Sequence, residues 1–201
     1  MQDLVLLVAD KNMQFALQGA FGRPQALDVR PFTYEFRVHM GRDGGVRTTG
    51  ADVLAREATR FSHALMLLDF EGCGQEDDDA LVVETQLDGK LRAVWGESGK
   101  AIVIAPEVDV WLWGNDNVLR DALHWPQDGA IRSWLHVRGF EFNADKKPVR
   151  PKEALDAMRP IHKQARSSAM YEKVTKRVSL QNCTDLAFVR LRSQLQAWFP
   201  V

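Results

Sequence analysis

The stretch ALMLLDFEGCG (residues 64–74) is an apolar run of strand length that ends on Asp69 and Glu71 and turns at Gly72 and Gly74. A continuous apolar run with its charges held to the last step reads as a strand buried on both faces, as strands of parallel sheets are. In open α/β sheets the loops at the carboxyl ends of the strands line the ligand crevice, so Asp69 and Glu71 leave this strand where chemistry is expected. Alternation along an extended chain puts the two carboxylates on the same side.

The same pattern recurs on either side. LVLLVA (residues 4–9) is a short buried strand, and DKNMQFALQGAFG after it reads as a helix capped by Asp10 and closed at Gly22. ALDVRPFTYEFRVHM is strand-like around Pro31. TTGADVLAREATRF is helical, with its cap near Thr48, Thr49 or Gly50, and the Gly-rich RVHMGRDGGVR before it reads as a loop. EDDDALVVETQLDGKLRAVWG has helical spacing weakened by Gly89, KAIVIA is another buried strand, and PEVDVWLWG follows with Pro106 suited to a first helical turn. Strands alternating with helices predict a mostly parallel sheet flanked by helices, because parallel neighbours need crossover connections. Residues 1–125 form this α/β domain. Residues 126–201 read as a connecting segment and a helical cap on the same domain, closed by the amphipathic LAFVRLRSQLQAWF.

Composition bounds the partners. With 201 residues, 45% hydrophobic and 26% charged, the chain can bury a substantial core. A formal net charge of −1 means that a nucleic-acid partner would be met by a local basic patch rather than by the overall field. Two distant cysteines, Cys73 and Cys183, fit a reducing compartment and exclude a cysteine-cage zinc site. The opening residues lack the basic-then-apolar pattern of a leader, and the apolar runs are too short to span a bilayer, so a cytoplasmic protein with no membrane partner is expected.

Four acids fall at three strand ends: Asp10, Asp69, Glu71 and Glu107. Carboxylates this close repel one another unless a cation lies between them, and an oxygen-only donor set suits a hard ion such as Mg²⁺ or Mn²⁺. Asp69, Glu71 and Glu107 are the expected metal ligands, with Asp10 beside them. His39 and Asp43, in the Gly-rich loop, are candidate substrate contacts. Lys146, Lys147 and Arg150 are candidate phosphate contacts, with Lys152 beside them around two prolines and Arg159, Lys163, Arg166, Lys173, Lys176 and Arg177 following on the helical tail. GESGK (residues 96–100) precedes a strand instead of opening a helix after one, which excludes a phosphate-binding loop, and the missing Gly-x-Ser-x-Gly leaves an esterase unsupported.

LVLLVADKNMQFAL, MLLDFEGCG, VIAPEVDVWLWGNDN and DLAFVRLRSQLQAWF together resemble the small stand-alone TOPRIM-like proteins of bacteria. Members of that group occur in phage-defence loci such as the methylation-associated defence system. Their fold is related to the nuclease domain of the overcoming-lysogenization-defect proteins. The resemblance implies a glutamate after the first strand and an Asp-x-Asp pair after the third, used with magnesium in phosphodiester chemistry. The pair corresponds to Asp69 and Glu71, and the acid of PEVDVW to Glu107 or Asp109. The first glutamate falls at Ala9, with the nearest acid, Asp10, one residue later. Two functions are therefore expected of the sequence. One is an Mg-dependent nuclease of a defence system. The other is a catalytically inactive subunit that binds nucleic acid or a partner defence protein.

Overall fold

The computed structural model describes residues 1–126, 129–162 and 166–201, with the side chain of His162 excepted, so Lys163 of the basic tail lies outside the described residues. Four strands, β1 (Gln2–Val8), β2 (Tyr34–Val38), β3 (Phe61–Asp69) and β4 (Gly99–Ile104), form one sheet in the order β2-β1-β3-β4. All three pairings are parallel; Leu6 lies opposite Leu65, and Leu67 opposite Ile102. The protein is thus an α/β fold with an all-parallel sheet, in a strand order consistent with a Rossmann-like or TOPRIM-like domain. Strand order reverses at β1, so the crevice opens between the carboxyl ends of β1 and β3.

Helices α1 (Lys11–Phe21), α2 (Pro24–Leu27), α3 (Arg42–Ala55) and α4 (Ala80–Trp95) make the crossovers. Right-handed connections set α1 on one face, and α3 and α4 side by side on the other. Both ends of α1 follow the sequence reading: the Asp10 carboxylate accepts the Met13 N–H at 2.9 Å, and Gly22 is the C-cap. Helix α3 does not. It starts at Arg42, six residues before Thr48, and so absorbs the Gly-rich stretch that reads as a loop. Glycine weakens a helix, but here close packing requires it. A Cβ on Gly45 would meet the His39 ring at 2.3 Å, and one on Gly50 would meet Met66 Sδ at 2.6 Å and Leu7 Cδ2 at 3.0 Å. The segment after β4 also departs from expectation. Pro106 follows a cis peptide bond, and Val108–Gly114 is a 3₁₀ helix rather than an α-helix. Its residues 108–113 are buried all round, so no face shows a helical period.

Helices α5 (Asp116–Leu123), α6 (Ile131–His136), α7 (Pro151–His162), α8 (Ser168–Thr175) and α9 (Leu186–Trp198) complete the described chain. None of the described helices is long and apolar enough to cross a membrane. Helix α8 lies along α1, and α9 packs on β4. The α1–α8 approach depends on Gly19, where a Cβ would lie 2.0 Å from Thr175 Oγ1 and 2.7 Å from the Glu172 carbonyl oxygen. Helix propensity alone would make Gly19→Ala stabilising by about 1 kcal/mol. Backbone cannot rotate away as a side chain does, so overpacking prevails and a net loss of about 1–2 kcal/mol is expected in urea unfolding. A stabilised variant would show that the helices separate freely.

Candidate metal centre at the carboxyl edge of the sheet

Pairing of β3 with β4 continues beyond the strands. The Phe70 N–H donates to the Ile104 carbonyl at 2.7 Å, and the Glu71 N–H to the Pro106 carbonyl at 3.0 Å. The two exits therefore run together and bring Asp69, Glu71, Glu107 and Asp109 to one crevice. A third element joins them. Asp43, in the first turn of α3, accepts the Asp69 backbone N–H at 2.8 Å, while Asp69 accepts the Val108 N–H at 2.8 Å. The turn after β3 is held from both sides. The Glu76 carboxylate accepts the N–H groups of Gly72 and Gly74 at 2.8 and 2.9 Å, and Arg47 of α3 donates to the Cys73 carbonyl at 2.6 Å. Gly72 and Gly74 have φ of +89° and +77°, which L side chains rarely adopt.

Charge is uneven in this crevice. Asp69 keeps a small exposed edge but is densely enclosed by protein; that burial, with Asp43, Asp109 and Glu107 nearby, pushes its carboxyl well above the ordinary range. Asp43 is raised by burial and by Asp10, and Glu107 by burial, Asp109 and Glu71. Two cations answer part of this. Lys152 Nζ lies 2.8 Å from Glu107 Oε2, while Asp109 Oδ1 accepts from the Tyr171 hydroxyl at 2.7 Å and from Arg166 at 3.1 Å. Burial still holds Asp109 above its usual value. Tyr171, buried and facing Asp109, is pushed far up and stays protonated. Comparison of the chain with family models, curated proteins and solved structures finds no match.

Sequence reasoning reached Asp69, Glu71, Glu107, Asp10 and Asp43, although Asp43 sits on a helix rather than in a loop. It missed Tyr171 as a partner of Asp109, and it placed Lys152 and Arg166 in a basic tail rather than beside these acids. These partners lie 45 to 62 residues further along than the acids they meet, and no local pattern links them. The tyrosine of SAMYEKVT, beside Glu172 and Lys173, was the one available signal. His39 is committed to the start of α3: its Nδ1 accepts the Gly41 N–H at 3.0 Å, which leaves Nε2 to donate to Thr49 Oγ1 at 3.0 Å. Lys146 and Arg150 are exposed, whereas Lys147 between them is 5% exposed and turned into the interior. It therefore does not share their surface.

As a metal site the donors are all oxygen and Glu107 Oε1 is buried with no hydrogen-bond partner among the described residues, which fits a hard cation. Among the described residues no three His, Cys, Asp or Glu side chains are gathered closely enough to cage an ion. Magnesium does not require a cage, because it keeps several waters and is commonly held by one or two carboxylates plus substrate phosphates.

The raised carboxyls set a pH dependence. A folded-state pKa above the unfolded value means that the native protein binds protons more tightly, so stability falls as pH rises through the interval between the two values. Metal-free protein is expected to melt at a higher temperature near pH 5 than at pH 7, and Asp69→Asn to flatten that slope. Asp3 and Asp121, lowered mainly by a Thr33 N–H bond and by Arg177 respectively, act oppositely and below about pH 4. His63, lowered by burial, opposes this slope equally in both proteins, so an identical dependence from pH 5 to 7 in the parent and Asp69→Asn would contradict the crowding of the crevice.

Proposed function

We propose that the protein is a TOPRIM-like phosphodiester hydrolase acting on nucleic acid, with Mg²⁺ or Mn²⁺ held by Asp69 and Glu71 and assisted by Glu107. The observation that carries this reading is the joint exit of β3 and β4, which brings acids from both strands together beside the β1–β3 junction where strand order reverses. Asp43 fixes the backbone under Asp69, and the Val108 N–H holds one of its oxygens, so the carboxylate is oriented before any ligand arrives. Exposed Glu71 is close enough to Glu107 to raise its carboxyl. Asp10 caps the N-terminus of α1, where the helix dipole favours negative charge. Lys152 and Arg166, already next to the acids, supply positive charge for a phosphate. A bound divalent ion would contribute neutralisation of phosphate charge and a lowered pKa of water. Membership of a defence locus follows from the sequence resemblance and is part of the same proposal.

The second reading, a non-catalytic subunit that binds nucleic acid or a partner defence protein, is favoured by Ala9 at the family's glutamate position and by the engagement of Glu107 and Asp109 with Lys152, Arg166 and Tyr171. The deciding experiment incubates purified protein with single- and double-stranded DNA and RNA under Mg²⁺, Mn²⁺ or chelator. Metal-dependent cleavage is expected. If no metal gives cleavage, and charge reversal at Lys146 and Arg150 weakens nucleic-acid binding in a salt-dependent way, the subunit reading holds instead.

A further inference from the structure

A second cavity, of about 290 Å³, lies at the other end of the Val108–Gly114 segment, walled by Trp111, Trp113, Val178, Leu180, Phe188 and Lys147. Its size is at the lower end of the roughly 300–1,000 Å³ usual for small-molecule pockets. Two of its lining residues carry buried polar atoms, Lys147 Nζ and Trp113 Nε1, that have no hydrogen-bond partner among the described residues. Lys147 is 5% exposed and Trp113 1%. A buried ammonium without a partner is among the most costly groups a fold can hold.

The surroundings do not supply that partner but do fix the lysine. Asn143 Oδ1 accepts the N–H groups of Asp145 and Lys147, both at 3.0 Å, and the Lys147 carbonyl accepts the Asn143 N–H at 2.8 Å. Arg132 ties this turn to the cavity wall by donating to the Lys146 carbonyl at 2.6 Å and to the Trp113 carbonyl at 3.0 Å, and it pairs with Asp116 at 2.7 Å. The indole N–H of Trp111 is held by Asp185 at 2.9 Å, so Trp111 offers only its apolar ring, packed edge-on against Phe188 at 5.2 Å.

Both unpartnered groups are donors, and one is a cation, so the complement must present acceptors and negative charge. Flat apolar walls call for a flat apolar body. Asp145 also lines the cavity and disfavours a second negative charge, which selects a carboxylate over a phosphate dianion. We infer that this cavity is a binding site for a small aromatic carboxylate, its anionic end received by Lys147 and Trp113. The site is separate from the acidic crevice and does not rest on the nuclease reading.

The test uses the full chain with benzoate and 4-hydroxybenzoate as probes, neutral benzamide and inorganic phosphate as controls, and melting temperature with tryptophan emission as readouts. The carboxylates are expected to raise the melting temperature and change the emission saturably, with benzamide and phosphate at least about tenfold weaker. Lys147→Met should remove the preference for carboxylate over amide, and Trp113→Phe should weaken carboxylate binding severalfold. Lys147→Met should also raise the melting temperature of the ligand-free protein, because a thioether of similar length replaces an unpaired ammonium. Equal response to benzoate and benzamide, no saturable response to either carboxylate, or a ligand-free Lys147→Met less stable than the parent would each overturn the proposal.

Discussion

Glu71→Gln is expected to remove metal-dependent cleavage while nucleic-acid binding persists. The side chain is exposed, so the substitution leaves the fold alone, and an amide is a far poorer ligand for a hard cation than a carboxylate. Groups one step removed from a metal commonly change activity by 10–100-fold, so loss of a direct ligand should exceed about a hundredfold. Asp69→Asn gives an independent readout. Its carbonyl oxygen still accepts the Val108 N–H, but the charge is gone. Magnesium at a hundred times its dissociation constant stabilises the native state by about 2.7 kcal/mol, so the parent's melting temperature should rise with the ion and the variant's should not. Activity that survives unchanged in repurified Glu71→Gln, together with an identical magnesium shift in Asp69→Asn, would place both metal and chemistry outside this crevice.

The largest stability effect is expected at the β4 edge of the sheet. Glu84 of α4, 4% exposed, is held by a two-bond fork from Arg190 of α9, each bond 2.8 Å, and accepts the Val103 N–H of β4 at 2.9 Å. Arg190 also donates to the Val103 carbonyl at 3.2 Å. One ion pair thus joins the last helix, the edge strand and the crossover helix. Arg190→Ala leaves a buried carboxylate short of a partner, which typically costs about 3–5 kcal/mol. Lys100, 3.7 Å from Glu84, moderates this toward about 3 kcal/mol, or a fall of roughly 6–12 °C in melting temperature. Adding Glu84→Gln to Arg190→Ala should recover much of the loss, because the unpaired charge is then absent. No recovery would mean that the damage comes from lost packing of α9 instead.

Where sequence and structure part company, the reasons are particular. Strands β1, β3 and β4 were legible because they are unbroken apolar runs, and α1 because Asp10 and Gly22 punctuate it. The start of α3 was not, since Gly44 and Gly45 signal a loop and only their distance from His39 shows why a helix tolerates Gly45. The 3₁₀ segment escaped because burial on all sides erases periodicity. At the site, the acids were visible as strand ends, whereas the Asp109–Tyr171 contact spans 62 residues and the Lys152–Glu107 pair spans 45. Lys147 was hidden differently. It stands in a run of exposed charges, and nothing local distinguishes the one that turns inward.

The junction of α1 with α8 has a consequence in time. Asn12 and Ser168 are hydrogen-bonded across 156 residues, and Gly19 is shaped to receive the Thr175 turn. The first helix to leave the ribosome thus finds one of its neighbours among the last. At about 5–20 residues per second, the side of that helix that carries Asn12 and Gly19 waits on the order of ten to thirty seconds for its cover. During that interval this packing surface stands open to solvent and to other chains. Release of a chain stopped before residue 168 would leave the interval permanently open.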